Sequence, residues 1–387
     1  MEPKIRLKGF SGKWISHSLK EKEFTIVAGG DIDKQSIRQH GRYPVIANAL
    51  SNDGIVGYYD RYYRIEAPSV SVTGRGEIGY AQARKTSFTP VVRLLSIQSH
   101  HDVDFLANAI NCKKVVQEST GVPQLTTDKL SQYEIAFPEK IEEEKAIGNY
   151  ISSIDSLIQS STKKIESLKQ VKAASLQSMF PQEGETKPRV RFKGFSGEWD
   201  VVSLGDCLTI NSEKNQNNIY DINDVLSVSD EVGVANQIKF LGRSYAGKSV
   251  SNYRILKTNQ IVYTKSPLKS KPYGIVKVNK GSVGIVSVLY AVYDAKENVH
   301  PDFIHYYFDP SYRINNYLLP LINKGAKNTM NISDEMALTG KICIPSYNEQ
   351  WQIAQYLQSL DTQITLQTQR LEKLKQIKSA CLDNMFV

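Results

Sequence analysis

Cysteine is scarce: four in 387 residues, at Cys112, Cys207, Cys343 and Cys381, scattered with no CxxC pair. That spacing offers no disulfide framework and no zinc site, and it fits a reducing cytoplasm. The six histidines, His17, His40, His100, His101, His300 and His305, form no HxxxH or HExxH pattern. No apolar run is long enough to span a bilayer. Met1-Glu2-Pro3-Lys4 opens no signal peptide, since no apolar segment follows it. Local context suggests no Ser/His/Asp set, so no catalytic site assembles. The expectation is a cytoplasmic chain with no membrane contact, no catalytic residues, no cofactor and no metal ligands of its own.

What is present is ordinary in bulk and unusual in order. Hydrophobic residues make up 41% and charged residues 23%, values of a globular protein. The net charge of +8 favours an anionic partner without naming one. Tyrosine is abundant, with 21 residues. Interleaved with Lys and Arg, it suits a surface that meets phosphates and bases, although it is also a good strand former.

The chain says much the same thing twice. Lys4 to Trp14 reads KIRLKGFSGKW, and Arg189 to Trp199 reads RVRFKGFSGEW. Ile147 to Phe180 is echoed by Ile353 to Phe386. In the first tail Ile147, Ile151, Ile154, Ile158, Ile165 and Leu168 follow steps of four and three; in the second Ile353, Leu357, Leu360, Ile364, Leu371 and Leu374 do the same. This spacing predicts two long helices, each with one apolar seam. One seam cannot be satisfied alone, so the helices are expected to pair with each other. Both seams break at matching rungs, Ser161 with Gln367 and Lys172 with Lys378, and Val171 and Ile377 are expected to take over the burial at the lysines. Matching polar rungs would help to fix register.

A polar linker with proline at both ends, Pro181 to Pro188, separates the halves. The stretches between the repeats, Lys20 to Pro138 and Leu204 to Pro345, match each other poorly. They read as strand-rich, for example at 43–47, 69–73, 260–264 and 284–288, with shorter helices around 102–111 and 302–318. Each head therefore reads as a mixed α/β globule.

Three motifs tempt an enzymatic reading. Gly242 to Ser249 matches GxxxxGK[ST], the phosphate-cradling loop, with Lys248 as its lysine, but no helical apolar face follows it. Gly74-Arg75-Gly76-Glu77-Ile78-Gly79 matches a dinucleotide fingerprint without a βαβ unit, and reads better as a tight turn that displays Arg75. Asp309-Pro310-Ser311-Tyr312 is one residue away from the DPPY sequence of amino-methyltransferases, and more simply punctuates a helix.

What remains is display chemistry. The first head offers Arg42, Tyr43, Asn48, Ser51, Asn52, Arg75, Arg84 and Lys85 near predicted turns. The second offers Lys214, Lys265, Ser266, Lys269, Ser270, Lys271, Tyr273, Lys324, Lys327 and Asn328. Arg and Lys reach phosphates and guanine edges, and Asn pairs with adenine, so these are the candidate DNA-binding residues. Each alone could be a solvated surface residue; the argument is their clustering at loops in both heads.

On these residues the chain resembles the specificity subunit of type I restriction–modification systems. The repeated KGFSGxW segments, Lys8 to Trp14 and Lys193 to Trp199, look like the motif that opens each domain of that family. Tyr43 to Ile46, Asn52 to Tyr58 and Thr73 to Gly79 resemble one class of its target-recognition domains; Val225 to Ser229, Asn252 to Leu256 and Gly284 to Ser287 resemble another. The resemblance implies an α+β fold: two mixed α/β target-recognition domains in a pseudo-symmetric repeat, joined by two long antiparallel coiled-coil helices. The expected organisation is a first head over 1–140, a first helix over 141–182, a second head over 183–346 and a second helix over 347–387.

It further implies that each head reads one half of a split target in double-stranded DNA. The helices would set the spacing and dock two modification subunits, with restriction subunits joining the complex. S-adenosylmethionine would then belong to the modification partner, and ATP and magnesium to the restriction partner. Two rival classes stand beside this one. A nucleotide- or S-adenosylmethionine-dependent enzyme would bind its cofactor as the isolated chain, and a helical scaffold without DNA contact would show no salt-dependent DNA binding.

Overall fold

The computed structural model describes residues 1–113, 123–247, 249–265, 271–324 and 330–387, with the backbone alone for 323, 324, 330 and 331. It resolves into two compact units, Met1–Lys164 with Gln367–Val387, and Ile165–Leu366. Two long helices run through both units: α1, Ile141–Ser178, and α2, Tyr347–Met385. Each unit therefore contains part of α1 and part of α2.

In the first unit a four-stranded antiparallel sheet is built from β1 (Thr25–Ala28), β2 (Ser69–Thr73), β3 (Ala81–Arg84) and β4 (Leu94–Gln98), in the order β1-β4-β2-β3. In the second unit β5 (Leu208–Asn211), β6 (Ile261–Tyr263), β7 (Val276–Val278) and β8 (Ala291–Ala295) take the corresponding order, β5-β8-β6-β7. Two stretches with little sequence likeness thus share one sheet topology. The expected strand at 69–73 is present as such, and those near 43, 260 and 284 form as Tyr43–Ile46, Ile261–Tyr263 and Gly284–Val286. The expected helix after each sheet also forms, over Val103–Asn111 in the first unit. In the second it is broken into Pro301–Phe308 and Ser311–Leu318 by Asp309-Pro310.

The repeated opening motif acts as an anchor in each unit. Gly9 and Gly12 sit at φ of 99° and 101°, and Gly194 and Gly197 at 99° and 84°, a backbone region that glycine occupies freely. The loop they form carries Trp14 and Trp199, each 2% exposed, into the cores. Arg6 donates through Nε and Nη2 to the two carboxylate oxygens of Glu143 at 2.7 Å each, and Arg191 does the same to Glu349 at 2.6 Å each. Both glutamates lie in the first turn of a long helix. After each tryptophan a strand (Ile15–Ser18, Asp200–Ser203) pairs antiparallel with the strand that runs into the helix (Glu134–Phe137, Lys341–Ile344). The start of each head is so fastened to the start of its helix.

Of the seam residues, Ile147, Ile151, Ile154, Ile165, Ile353, Leu357, Leu360 and Leu371 are buried, and Ile158, Leu168, Ile364 and Leu374 are half-buried. Gly148 in α1 permits close approach of the helix that Asp102 caps: a Cβ there would lie 2.4 Å from Asp102 Oδ1. Within the first unit Lys378 of α2 donates to Asp155 of α1 at 2.6 Å. Within the second, Lys172 of α1 pairs with Asp361 of α2 at 2.8 Å, and Ser175 meets Tyr356 at 3.4 Å. Rising residue numbers on α1 meet falling numbers on α2, so the segments run antiparallel. The lysine rungs are thus closed by aspartates. The expectation that Val171 and Ile377 replace them is corrected: both are exposed, at 45% and 38%. Each lies one residue off the seam, about 100° around the helix from it.

Phe180, just beyond α1, packs its ring against Trp199 and Phe303 in the second unit. Phe386, just beyond α2, packs against Phe105 in the first, where Phe105 also meets Trp14. Each head core is therefore completed by residues at the end of a long helix. Among the described residues, no helix is long and apolar enough to cross a membrane.

Candidate nucleic-acid interface

In the first head, the segment between β2 and β3 is a hairpin turn. Gly79 N donates to Thr73 O at 2.8 Å, Tyr80 N to Thr73 Oγ1 at 3.0 Å, and Leu125 N to Gly74 O at 3.0 Å. This is a strand–turn–strand unit, so the glycine pattern is the turn it was expected to be. Asn48 holds it from the side: its Oδ1 accepts from Gly74 N at 2.8 Å, and its Nδ2 donates to Val92 O at 3.1 Å. Asn48, Ala49, Leu50, Thr73, Arg75 and Glu77 line an open groove. Arg75 is exposed at its edge and, among the described residues, has no hydrogen-bond or ion-pair partner. Ser51 and Asn52 stand next to it in a short 3-10 turn, where Asn52 Nδ2 donates to Ile55 O at 3.1 Å. Asp53 in the same turn accepts from Gln82 of β3 at 3.2 Å, tying the turn to that strand.

Arg42 and Tyr43 form a second cluster. The Arg42 guanidinium lies 5.1 Å from the Tyr43 ring centre, and Tyr43 lies 4.9 Å from Tyr63. Arg64 Nε donates to Tyr62 Oη at 2.6 Å, and Tyr62 and Tyr63 are both exposed. Arg61 to Arg64 were missed by the sequence reading, although the string Arg-Tyr-Tyr-Arg carried the signal of basic and aromatic residues together. Arg84 is only half-exposed, and its Nε donates to Ser71 Oγ at 2.8 Å. Burial lowers its pKa, so its charge is part of the head's interior. Lys85 is exposed and pairs with Asp104 at 2.8 Å.

The second head differs from expectation at Lys265, Lys271 and Tyr273. Lys271 is 5% exposed and donates to Asp230 Oδ1 and to Asp309 O, both at 2.7 Å. Lys265 donates to Asp334 at 2.7 Å, and Arg254 pairs with the same carboxylate. Tyr273 packs on the core, and its carbonyl accepts from Tyr263 Oη. Lys271 and Lys265 are thus committed to aspartates inside the head, because buried carboxylates need cations. Lys214 is exposed as expected. Ser266, Lys269, Ser270, Lys327 and Asn328 lie outside the described residues, and of Lys324 only the backbone is described, in the hairpin formed with 330–331.

Asp309, the aspartate of the near-DPPY string, is the hub of this interior network. Lys277 lies at 3.1 Å, Lys172 at 3.4 Å and Lys271 at 3.9 Å. Burial would raise its pKa, but His305, Lys277, Lys172 and Lys271 together hold it well below the usual carboxylate range. Burial and the neighbouring Lys277 push His305 down to about 4. The string is therefore an ion-pair hub between two helices. The GxxxxGK[ST] stretch also lacks its context. Gly242 is the left-handed C-cap of a short helix, Gln237–Leu241, and the next regular element is the strand Arg254–Leu256. Lys248 lies outside the described residues. What the stretch does display is Arg243, 4.6 Å from the ring of exposed Tyr245.

The family of type I restriction modification DNA specificity domains matches residues 20–170 and again 196–376, most of both halves. The chain belongs to that family. It is similar to a protein named as a type I specificity subunit of Mycoplasma pneumoniae, with 29% identity over 126 residues, 31% of this chain and 34% of the relative. It is also similar to a protein named as the specificity subunit of the MjaX type I restriction enzyme of Methanocaldococcus jannaschii, with 23% identity over 288 residues, 70% of this chain and 62% of the relative. The matched region spans about a third of the first of these and somewhat under two thirds of the second. Among solved structures, the S subunit of a type I restriction-modification system from M. genitalium superposes with a TM-score of 0.65 at 15% identity, covering 100% of this chain and 99% of that one. That likeness is one of fold: a two-domain repeat with long helices.

Proposed function

We propose that this chain is the non-catalytic, sequence-specific DNA-recognition subunit of a type I restriction–modification complex in the cytoplasm, serving host defence. Each head reads one half of a bipartite target, and the paired helices fix the distance between the halves and dock two modification subunits. Restriction subunits join through the assembled complex. Methylation chemistry and S-adenosylmethionine belong to the modification partner, and ATP and magnesium to the restriction partner.

The observation that carries this reading is a constant frame with divergent faces. The opening arginine–glutamate anchor, the four-stranded sheet order and the lysine–aspartate rungs recur in both units. The loops above them differ, with an arginine-tipped hairpin in one head and an Arg243–Tyr245 pair in the other. Two readers of one sequence would have no reason to diverge there. Family membership and a family description that names DNA specificity support the same conclusion.

Arg75→Ala in the complete modification complex tests it. A base-reading side chain removed from one head should cost about 1–3 kcal/mol and relax one half-site only; a phosphate contact removed should weaken all sequences and lower the salt slope by about one. Binding and methylation like the parent over a range of salt would take this hairpin off the DNA surface.

A further inference from the structure

Outside the proposed DNA face, the first head gathers two histidines and two glutamates that its sequence spacing conceals. Glu23 lies in the turn before β1, and His100 and His101 follow β4. Because β1 and β4 pair with Thr25 opposite Gln98, both segments emerge at the same end of the sheet. His100 Nδ1 is 3.7 Å from Glu23 Oε2, and His101 Nε2 is 3.8 Å from Glu23 Oε1. The side chain of His101 is 8% exposed, and its ring stacks on Phe24 at 5.4 Å and on Phe137 at 3.8 Å. Its Nδ1 sits 2.9 Å from Glu144 Oε1, while Glu144 Oε2 accepts from Asp102 N at 3.0 Å. His101 Nε2 is buried, has no hydrogen-bond partner among the described residues, and faces Glu23 Oε1 across 3.8 Å. An ion seated between them would engage both atoms.

We infer that Glu23, His100 and His101 form a binding site for a divalent transition-metal ion of the zinc class. Two imidazoles and one carboxylate are a common zinc donor set and favour zinc, cobalt, nickel or copper over magnesium or calcium. Metal–ligand bonds of about 2.0–2.2 Å place neighbouring ligand atoms of a tetrahedral ion about 3.4 Å apart. The two His–Glu23 separations, each to a different carboxylate oxygen, exceed that by a few tenths of an ångström, and one ligand atom from each of the three residues lies within 4.8 Å of the others. Glu144 is the outer carboxylate that orients a metal-binding histidine and fixes its tautomer. His17 Nδ1 lies 3.0 Å from Glu23 Oε1 and 3.0 Å from Glu21 Oε2, the latter its hydrogen-bond partner. His100 is 65% exposed, so the ion can enter from solvent and keep a water as a further ligand.

The second head supplies the contrast. There Gln350 of α2 reaches His300 N at 2.9 Å, as Glu144 of α1 reaches Asp102 N in the first. The neutral amide replaces the carboxylate, and the residue before the capped position is the buried Val299 where the first head has His101. The frame is kept, and among the described residues the ligand set occurs in the first head alone. The ion would clamp the end of the β1–β4 pair to the base of α1.

The test uses the full chain freed of metal by a chelator and titrated with Zn²⁺, and separately with Co²⁺ for its visible absorption. The expected result is one equivalent bound, a melting temperature raised by zinc and restored by chelator, and uptake retained in Cys112→Ser, which removes the exposed thiol. His100→Ala and Glu23→Gln should abolish stoichiometric uptake. Glu144→Gln should weaken it by about 10–100-fold. His100 is exposed, so its alanine variant should keep the parent's circular dichroism. Failure of the folded parent to take up either ion, or uptake that His100→Ala leaves unchanged, would overturn the site.

Discussion

Arg191→Met is the most informative single perturbation of the frame. The Glu349 side chain is 1% exposed, and both of its oxygens are held by Arg191 at 2.6 Å. Arg191 also donates to Gly197 O at 2.7 Å, which binds the glycine loop to the helix start. Removing the guanidinium leaves a buried carboxylate without its cation, a change that costs about 3–5 kcal/mol. Adding Glu349→Gln should recover much of the loss at pH 7, since no charge is then left buried. Arg191→Lys should not substitute, because a point charge cannot make the two-pronged contact. Urea unfolding followed by tryptophan fluorescence reads the effect, since Trp199 and Trp351 both lie in the second unit. A loss below about 1 kcal/mol, or one unrelieved by Glu349→Gln, would refute the anchor as described.

Three further outcomes follow from the same geometry. Lys172 and Lys378 occupy equivalent rungs, yet Lys172 also sits beside half-buried Asp309 while Lys378, among the described residues, pairs with Asp155 alone; alanine at 172 should cost about 1–3 kcal/mol and at 378 under about 1 kcal/mol in urea unfolding, and equal losses would contradict the interior network. His305 is held near 4 against an ordinary value near 6.5, so the unfolded chain takes up its proton first; stability should fall by up to about 3 kcal/mol as pH drops from 6.5 to 4, and His305→Gln should flatten that slope, an unchanged slope counting against it. Seven residues inserted into both helices, after Lys164 and after Arg370, keep the seam in phase and add about 10 Å; methylome mapping should show the unread gap longer by about three base pairs with both half-sites unchanged, and an active variant with the old gap would sink the ruler.

What could be read from the sequence was what repeats at short range. The seam from Ile147 to Leu168 and from Ile353 to Leu374 shows because a helix returns the same face every three or four residues. The hairpin at Gly74 to Gly79 was legible because no helical pattern follows it. Contacts that close over long separations were not. Arg6 and Glu143 stand 137 positions apart, and nothing local marks either as the other's partner. The lysine rungs were visible, but the aspartates that close them sit elsewhere on the opposite helix. Lys271, in a stretch rich in lysine, serine and proline, reads as a displayed charge; only the fold reveals Asp230 and Asp309 beside it. The Glu23–His100–His101 cluster escaped for the same reason, since motif spacing describes ligands on one helix or loop, and these come from two ends of a paired sheet.

The central claim is that two different readers are held at a set distance. It is tested most directly by mapping methylated adenines in DNA exposed to this chain together with its modification partner. The account predicts one asymmetric motif in two parts, separated by a constant number of unread base pairs, with adenine modified in each part. A single contiguous motif, a gap that varies from site to site, or methylation without sequence preference would contradict it.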